Sequence, residues 1–363
     1  MYVQEHAAER FRNLAAVRMT PDPEMNVIFG KNGQGKTNLI ESLWMLTGFY
    51  SFRSHKNVHL IEDGEKEAVI TDQFFSGGRG QTVEMRIQAR KEITLNGVKE
   101  ASPRAMMGRF SAVVFSPQTL SVVQDGPGER RRLLDIALSL MKPNYALLYS
   151  NYKRALDQRN ALLRKVAERR FHAEDLAPWD AELVKLGTRI IQYRLQYLEK
   201  LNAAATEIYH GISGGHEVFS FYYDFQREAA DEAAIREKLQ TALERSREAD
   251  LKRLYTNVGP HADDLVLQLD GRDARVYGSQ GQQRSCALAL KLGEASVIRD
   301  VTGECPIVLL DDVMSELDEG RQTFILNFLD AWQVFVTCCD PSQLQRAGRG
   351  KTFEIENGML MER

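Results

Sequence analysis

Long apolar runs are missing from this chain. The longest candidates, SAVVF at 111–115 and PIVLL at 306–310, are strand-length, far short of the roughly 20 residues a membrane-spanning helix needs. The first residues, MYVQEHAAERFRN, carry no apolar segment of the kind that opens a secretory leader. Cysteine is scarce. The four residues, Cys286, Cys305, Cys338 and Cys339, have no metal-ligand spacing, and the adjacent pair cannot easily close an unstrained disulfide. The seven histidines are too scattered for a metal site. A reduced, cytoplasmic protein with no membrane partner is the expectation. Nor is there a surplus of positive charge. The formal net charge is −3, so any affinity for nucleic acid must come from a local patch. One candidate exists: residues 151–200 carry eleven Lys/Arg against seven Asp/Glu, whereas 228–250 carry four against seven. A solvated helix surface explains that contrast equally well.

What is present is a change of texture along the chain. EMNVIF at 24–29 reads as a buried strand, and KTNLIESLWMLT at 36–47 as a helix with apolar spacing near 3.6. In KEITLNGVKE, Asn96–Gly97 between alternating segments signals a hairpin, and SAVVFS at 111–116 is another strand. Beyond residue 129 two long charged stretches, starting ERRRLLD at 129 and PWDAELV at 178, have a helical period and predict an antiparallel helix pair. The strand-like HEVFSFYYDF at 216–225 and a charged helix near 231–248 follow. From about 257 the sheet resumes. It brings a hairpin at Asp270–Gly271, a helix at 282–299, the strand PIVLLDD, a helix at 319–331, the strand QVFVT and a last hairpin around Asn357–Gly358. The expected fold class is α/β, a mixed sheet with flanking helices. Its parts, 1–128 and 251–363, are separated by an inserted helical lobe, 129–250.

The sharpest motif is GKNGQGKT at 30–37, between a predicted strand and a predicted helix, which is the context a Walker A loop demands. Gly30, Gly33 and Gly35, with Lys31, Asn32 and Gln34 between them, let backbone N–H groups close around a phosphate. Lys36 reaches the β- and γ-phosphates, and the Thr37 hydroxyl becomes a Mg²⁺ ligand. IVLLDD at 307–312 supplies a Walker B strand, with Asp311 for the metal and Asp312 to polarise water. A GTPase would show Asn-Lys-x-Asp, and that tetrapeptide does not occur.

GSQGQQRS at 278–285 decides among the P-loop classes. Ser279, Gly281 and Gln282 sit at the start of a helix about thirty residues before Asp311, and a hydroxyl and a glycine amide there are anion ligands. One complete phosphate cradle already exists at 30–37. A second makes sense if it reads the γ-phosphate of a nucleotide held by another subunit, the arrangement of ABC-type ATPases. Gln118 after a strand and SELD at 315–318 fit the same order.

At these residues the chain resembles the RecF family of bacterial recombination and repair ATPases, in the SMC-like ABC class. The stretches that carry the resemblance are FRN at 11–13, GKNGQGKTNLIESLWMLTG, VVFSPQTLSVV followed by RRRLLD, GPHADDL, GSQGQQRSCALALKLGE, LLDDVMSELD and QVFVTCCD. The resemblance implies ATP-dependent homodimerisation and weak, DNA-stimulated ATP hydrolysis. It also implies binding of gapped or single-strand/double-strand junction DNA, and work with RecR, with RecO in the same pathway, to load RecA. Carried over by position, Lys36 and Thr37 bind ATP and Mg²⁺, Asp311 is the Walker B carboxylate, and Ser279 with Gln282 forms the signature acting in trans. Four positions depart from the family pattern. Gln118 replaces a usually acidic residue and restores the ABC-type glutamine; Ala262 replaces arginine in GPHADDL. Cys338 stands where ABC proteins have histidine, and Asp312 where glutamate is commoner. The expectation is slow hydrolysis with ATP as a switch. Arg53 is a candidate for reaching the nucleotide, and Arg130–Arg132 for contacting DNA or pairing with the acidic 228–250 stretch. The alternatives are an ABC-type subunit driving a non-DNA partner at a membrane, although no coupling helix is recognisable, and a monomeric P-loop kinase.

Overall fold

The computed structural model describes residues 1–54, 56–168, 170–225, 231–340 and 350–363. Residue 169 of the basic stretch and residues 228–230 of the acidic one therefore lie outside the described residues.

The expected mixed sheet resolves into two large sheets, with Phe219–Tyr223, Leu265–Leu269 and Arg272–Asp273 in a separate three-stranded one. One is parallel for five strands, in the order Lys351–Glu356, Met25–Phe29, Val334–Cys338, Ile307–Asp311 and Ala112–Phe115, with Met359–Glu362 antiparallel at its edge. Its strands are continuous apolar runs because both faces are covered. Along each strand, neighbours split between two cores. Ile28, Ala112, Val114, Ile307, Leu309 and Phe335 pack with the helix Lys36–Met45. Val27, Val113, Phe115, Val308, Leu310, Val334 and Val336 pack with the helix Gln280–Thr302. The other sheet is antiparallel and holds Leu14–Met19, Tyr2–Phe11, Ala68–Ser76, Arg79–Ile87, Lys91–Leu95 and Val98–Lys99. It covers the first core, so the Asn96–Gly97 hairpin belongs here and not to the sheet that carries the P-loop.

The helical stretch departs from a simple pair. Pro143 opens a new helix, since its ring fits a first turn and no interior, so Pro127–Met141, Pro143–Ala167 and Ala177–Ser213 replace the two expected helices. The third has 37 residues, about 55 Å at 1.5 Å per residue. It buries Ile190, Tyr197, Leu201, Ala205 and Ile208. A Cβ on Gly293 would sit 3.1 Å from both Ala205 Cβ and Leu201 Cδ1, so a glycine there lets the two helices approach closely. Tyr152 and Ile190 consequently share one apolar cluster with Leu290 and Leu310. The Asp270–Gly271 turn is present, both residues having positive φ, but its second strand is only Arg272–Asp273. Asp273 then caps a short helix, Ala274–Tyr277, by accepting from the amides of Arg275 and Val276.

Candidate nucleotide site

The loop 30–35 leaves the strand Met25–Phe29 at the C-terminal edge of the parallel sheet, the usual place for a ligand in α/β folds. Gly30 and Gly35 have φ of 155° and 120°, and a Cβ would lie 2.3 Å from Ile355 O at the first and 2.8 Å from Leu14 Cδ2 at the second. Gly33, with φ 81°, has open space before it. Lys36 Nζ donates to Gly30 O at 2.6 Å and Lys31 O at 3.1 Å, which holds the ammonium inside the ring of the loop. Its helix has no side-chain cap and no acidic residue in the first turn, so the positive end of the helix and its free amides are left for an anion. Residues some 20 and 320 positions away brace the loop. Asn13 Nδ2 donates to Gly33 O at 3.1 Å, and Gln34 accepts from the amides of Asn357 at 2.6 Å and Gly358 at 3.1 Å. The side-chain oxygen of Gln34 is thus taken up by the C-terminal hairpin. The Arg of FRN explains itself too: Arg12 makes a bidentate pair with buried Glu41 on the same helix, at 2.5 and 2.7 Å.

Thr37 and Asp311 do meet. Thr37 Oγ1 donates to Asp311 Oδ1 at 2.9 Å, and Thr337 Oγ1, a residue the motif reading missed, donates to the same oxygen at 3.0 Å. Asp311 is 3% exposed, and burial raises its carboxyl pKa against the pull of these two hydroxyls. Thr337 Oγ1 also accepts from the Asp312 amide at 2.9 Å. Asp312 adopts φ 54°, a left-handed conformation that costs a non-glycine residue about 1 kcal/mol and that clusters at functional sites. Ser315 Oγ donates to its carboxylate at 3.2 Å.

The signature turn is built differently. Ser279 and Gln282 form a reciprocal capping box: Ser279 Oγ accepts from the Gln282 amide at 3.3 Å and Gln282 Oε1 from the Ser279 amide at 2.7 Å. Gln283 Nε2 donates to the carbonyls of Ala274, Arg275 and Gly278, which fixes the approach to the helix. Ser279 and Gln280 are exposed, and among the described residues no hydrogen bond joins 278–285 to 30–37. Arg284 reaches Glu316 at 2.9 Å, tying this helix to the segment after Asp311.

Over residues 2–360 the chain matches the family model for the RecF/RecN/SMC N terminal domain. It is 36% identical over 365 residues to the DNA replication and repair protein RecF of Caldanaerobacter subterraneus subsp. tengcongensis, covering 99% of this chain and 100% of that one. The chain belongs to the RecF family. Its similarity to the RecF of Syntrophotalea carbinolica is also 36%, over 97% of both chains. A solved structure of the recombination mediator protein RecF-ATPrS in the RecFOR pathway superposes with a TM-score of 0.92 at 36% identity, covering 99% of this chain and 98% of that one. The Smc head domain of Pyrococcus furiosus, at 15% identity and a TM-score of 0.57 over 100% of this chain and 96% of that one, shares the fold. The expected ABC-type ATPase head is thus present. Among the described residues no helix is long and apolar enough to cross a membrane.

The other candidate residues lie as follows. Cys338 ends its strand and is buried, and it is the exposed Cys339 whose thiol lies 3.8 Å from Lys36 Nζ and donates to Asn32 Oδ1 at 3.2 Å. Gln118 follows the strand next to that of Asp311, but its side chain is exposed and makes no hydrogen bond to Lys36, Thr37 or Asp311. Arg130 serves neither DNA nor the acidic stretch, because it is buried and pairs bidentately with Asp264 at 2.7 and 2.8 Å. Arg131 donates to Asp263 O, and Arg132 lies 3.7 Å from Glu129. Arg53 is held at Asn38 Oδ1, at 2.6 Å, one turn into the P-loop helix. Of the basic stretch, Arg159 and Arg194 are fully buried and pair with Asp180, Asp250 and Asp135. GPHADDL is a junction: His261 Nδ1 meets Tyr152 OH at 2.6 Å, and Pro260 O accepts from Arg194 at 2.6 Å.

A Ser–His–Asp relay also went unseen. His6 lies between Asp72 Oδ2 at 3.0 Å and Ser42 Oγ at 2.8 Å. All three are at most 1% exposed, so no substrate reaches them. Burial drives the His6 pKa down to about 3, and the neutral ring pins the antiparallel sheet to the P-loop helix.

Proposed function

We propose that the chain is an ATP-dependent DNA clamp of recombinational repair. One copy holds ATP through Lys36 and the loop 30–35, and the signature turn of a second copy closes on the terminal phosphate with Ser279, Gly281 and Gln282. The observation that carries this reading is the pair of anion-ready helix starts, one braced around its own lysine and the other exposed at Ser279 and unconnected to the first by hydrogen bonds among the described residues. The site's residues fit the nucleotide: two glycines whose Cβ atoms would collide with the scaffold, an uncapped helix start and a threonine–aspartate pair. Thr37 and Asp311 would hold Mg²⁺, which neutralises charge on the phosphates when bound. Asp312 faces the role of polarising water, with Gln118 approaching once nucleotide and partner are in place. Hydrolysis is weak, because Asp312 is one methylene shorter than glutamate and a thiol stands where histidine is usual; stimulation by DNA is what the family resemblance implies. The closed dimer holds gapped or junction DNA in the cytoplasm, with RecR as direct partner and RecO and RecA in the same pathway. Relatives named for DNA replication and repair and for the RecFOR pathway support that assignment.

The test is analytical ultracentrifugation without nucleotide, with ADP and with ATP–Mg²⁺, repeated on Ser279→Arg. A dimer formed only with ATP and lost in the variant is the expected result. A monomer with ATP bound under every condition, or a dimer indifferent to nucleotide, overturns the shared-site reading.

A further inference from the structure

Away from the nucleotide site, a cleft of about 780 Å³ opens between the antiparallel sheet and the first two inserted helices. Arg90, Lys91 and Arg104 line one wall, and Arg131, Arg132 and Lys153 the other. Among the described residues the one carboxylate in the lining, Asp135, is already engaged by Arg194 at 2.8 Å and by Tyr145 OH at 2.6 Å. Among the described residues, Arg90, Lys91, Arg104, Arg131 and Lys153 make no salt bridge, and Arg132 makes only the long one to Glu129 at 3.7 Å. Cations gathered on facing walls without counter-charge are unfavourable unless an anion enters between them. Six cations thus face one concavity in a chain whose net charge is −3.

Aromatic rings accompany the charge. Tyr50 is 59% exposed at the cleft, with Lys91 Nζ 5.1 Å from its ring centroid, and Tyr149 lies on the opposite wall. Burial lowers the Lys91 pKa to about 8, as expected for an ammonium partly removed from water. Cationic walls interleaved with rings are the chemistry that holds an unpaired nucleic-acid strand, through phosphate contacts and base stacking. The volume lies in the range of ligand clefts, roughly 300–1,000 Å³. Such a space admits nucleotides of one strand, whereas a duplex lies along a surface. An acidic peptide would use the charges and leave the rings without a role.

We infer that this cleft is a binding site for single-stranded DNA, taking the unpaired strand where it leaves a duplex held elsewhere on the molecule. The inference rests on the DNA-clamp reading above and adds a location and a strand class to it. The turn carrying Arg90 and Lys91 and the segment carrying Arg104 form the wall on the sheet side. Arg131, Arg132 and Lys153 come from helices of the opposite wall.

The experiment compares the full-length ATP-bound protein on a blunt duplex and on the same duplex with a single-stranded tail, by fluorescence anisotropy. Arg90→Glu/Arg104→Glu changes two exposed side chains and leaves the fold intact, which circular dichroism and ATP binding verify. The tail tightens binding by the wild type, and the variant loses that increment, about tenfold, while blunt-duplex affinity stays within about twofold. The salt dependence of the tail's contribution falls by about 0.7 log units per log salt for each lost contact. A 2-aminopurine in the tail is quenched by the wild type and not by Tyr50→Leu. Equal loss on both substrates, or no loss on either, overturns the site while leaving the clamp reading standing. Displacement of the tail by a poly-glutamate peptide as effectively as by oligo-dT reassigns the cleft to an acidic protein segment. Displacement by mononucleotide at equal phosphate concentration reassigns it to a free nucleotide. A protein that binds neither DNA overturns the proposed function and this site with it.

Discussion

Two helix starts in this chain present anion ligands, and they are supported in opposite ways. The loop 30–35 is held by Asn13, Asn357, Gly358 and the Arg12–Glu41 pair, and its own lysine fills the ring. The turn at 278–282 is held mainly by its own capping box and by Gln283, with one longer-range bond from Gln282 to Glu217 and Ser279 facing solvent. A cradle braced from distant parts of the chain is pre-organised before ligand arrives, so most of its binding free energy is expressed. An exposed cap gains its ligand only when another surface brings one. The two halves should therefore fail separately.

The largest break falls on the first. Lys36→Met removes a cation that both closes the loop and meets the phosphates. Two charge-assisted hydrogen bonds of about 1.5–3 kcal/mol each are at stake. ATP affinity, measured by calorimetry, falls at least about a hundredfold, and dimerisation disappears with it. Ser279→Arg breaks only the second half: ATP binding stays within about twofold, the ATP-induced dimer is lost, and losing the cap lowers stability by about 1 kcal/mol in thermal unfolding.

Between them lies Asp311. Its raised pKa means the folded chain keeps that proton to higher pH than the unfolded chain does. Its contribution to stability is therefore present below the ordinary carboxylate range, near 4, and is lost as pH rises through the folded value. Asp311→Asn keeps the oxygen to which Thr37 and Thr337 donate. It raises the Tm of the nucleotide-free protein at neutral pH, flattens this part of the pH dependence, and abolishes Mg²⁺-dependent turnover. A lower Tm would mean that the carboxylate is better paired than its burial indicates.

What the sequence disclosed follows the same division. GKNGQGKT, IVLLDD and GSQGQQRS were legible because each ligand set is contiguous and each sits at a strand end or helix start that local pattern reveals. The partners that complete them were not. Thr37 meets Asp311 across 274 positions and Gln34 meets Asn357 across 323, and no local pattern specifies such pairs. Arg130 misled for the same reason, since the carboxylate that claims it lies 134 positions on. The adjacent thiols differ by strand alternation: Cys338 turns into the core and Cys339 toward Lys36. The cationic cleft was invisible because its walls come from residues 90–104 and 131–153, and only the second fell in or near the stretch singled out by charge.

The smallest effect discriminates best between the two helix starts. Gln34→Ala leaves every residue facing a phosphate in place and deletes one brace, the acceptor for the Asn357 amide at 2.6 Å. The hydrogen bond is exposed, so the stability cost is small, about 0.5–1 kcal/mol. If bracing from the C-terminal hairpin pre-organises the cradle, ATP affinity falls by a few-fold, while the dimer that forms at saturating ATP is unchanged. Gln282→Ala is the matched change in the other half, deleting the capping reciprocity and the 2.7 Å bond to Glu217. It leaves ATP affinity alone and weakens the ATP-bound dimer. Measured together by calorimetry and ultracentrifugation, the two glutamine variants should separate cleanly, one moving only the binding isotherm and the other only the association. Crossed effects would show that the two halves communicate within one chain, and the Arg284–Glu316 tie would be the first link to cut.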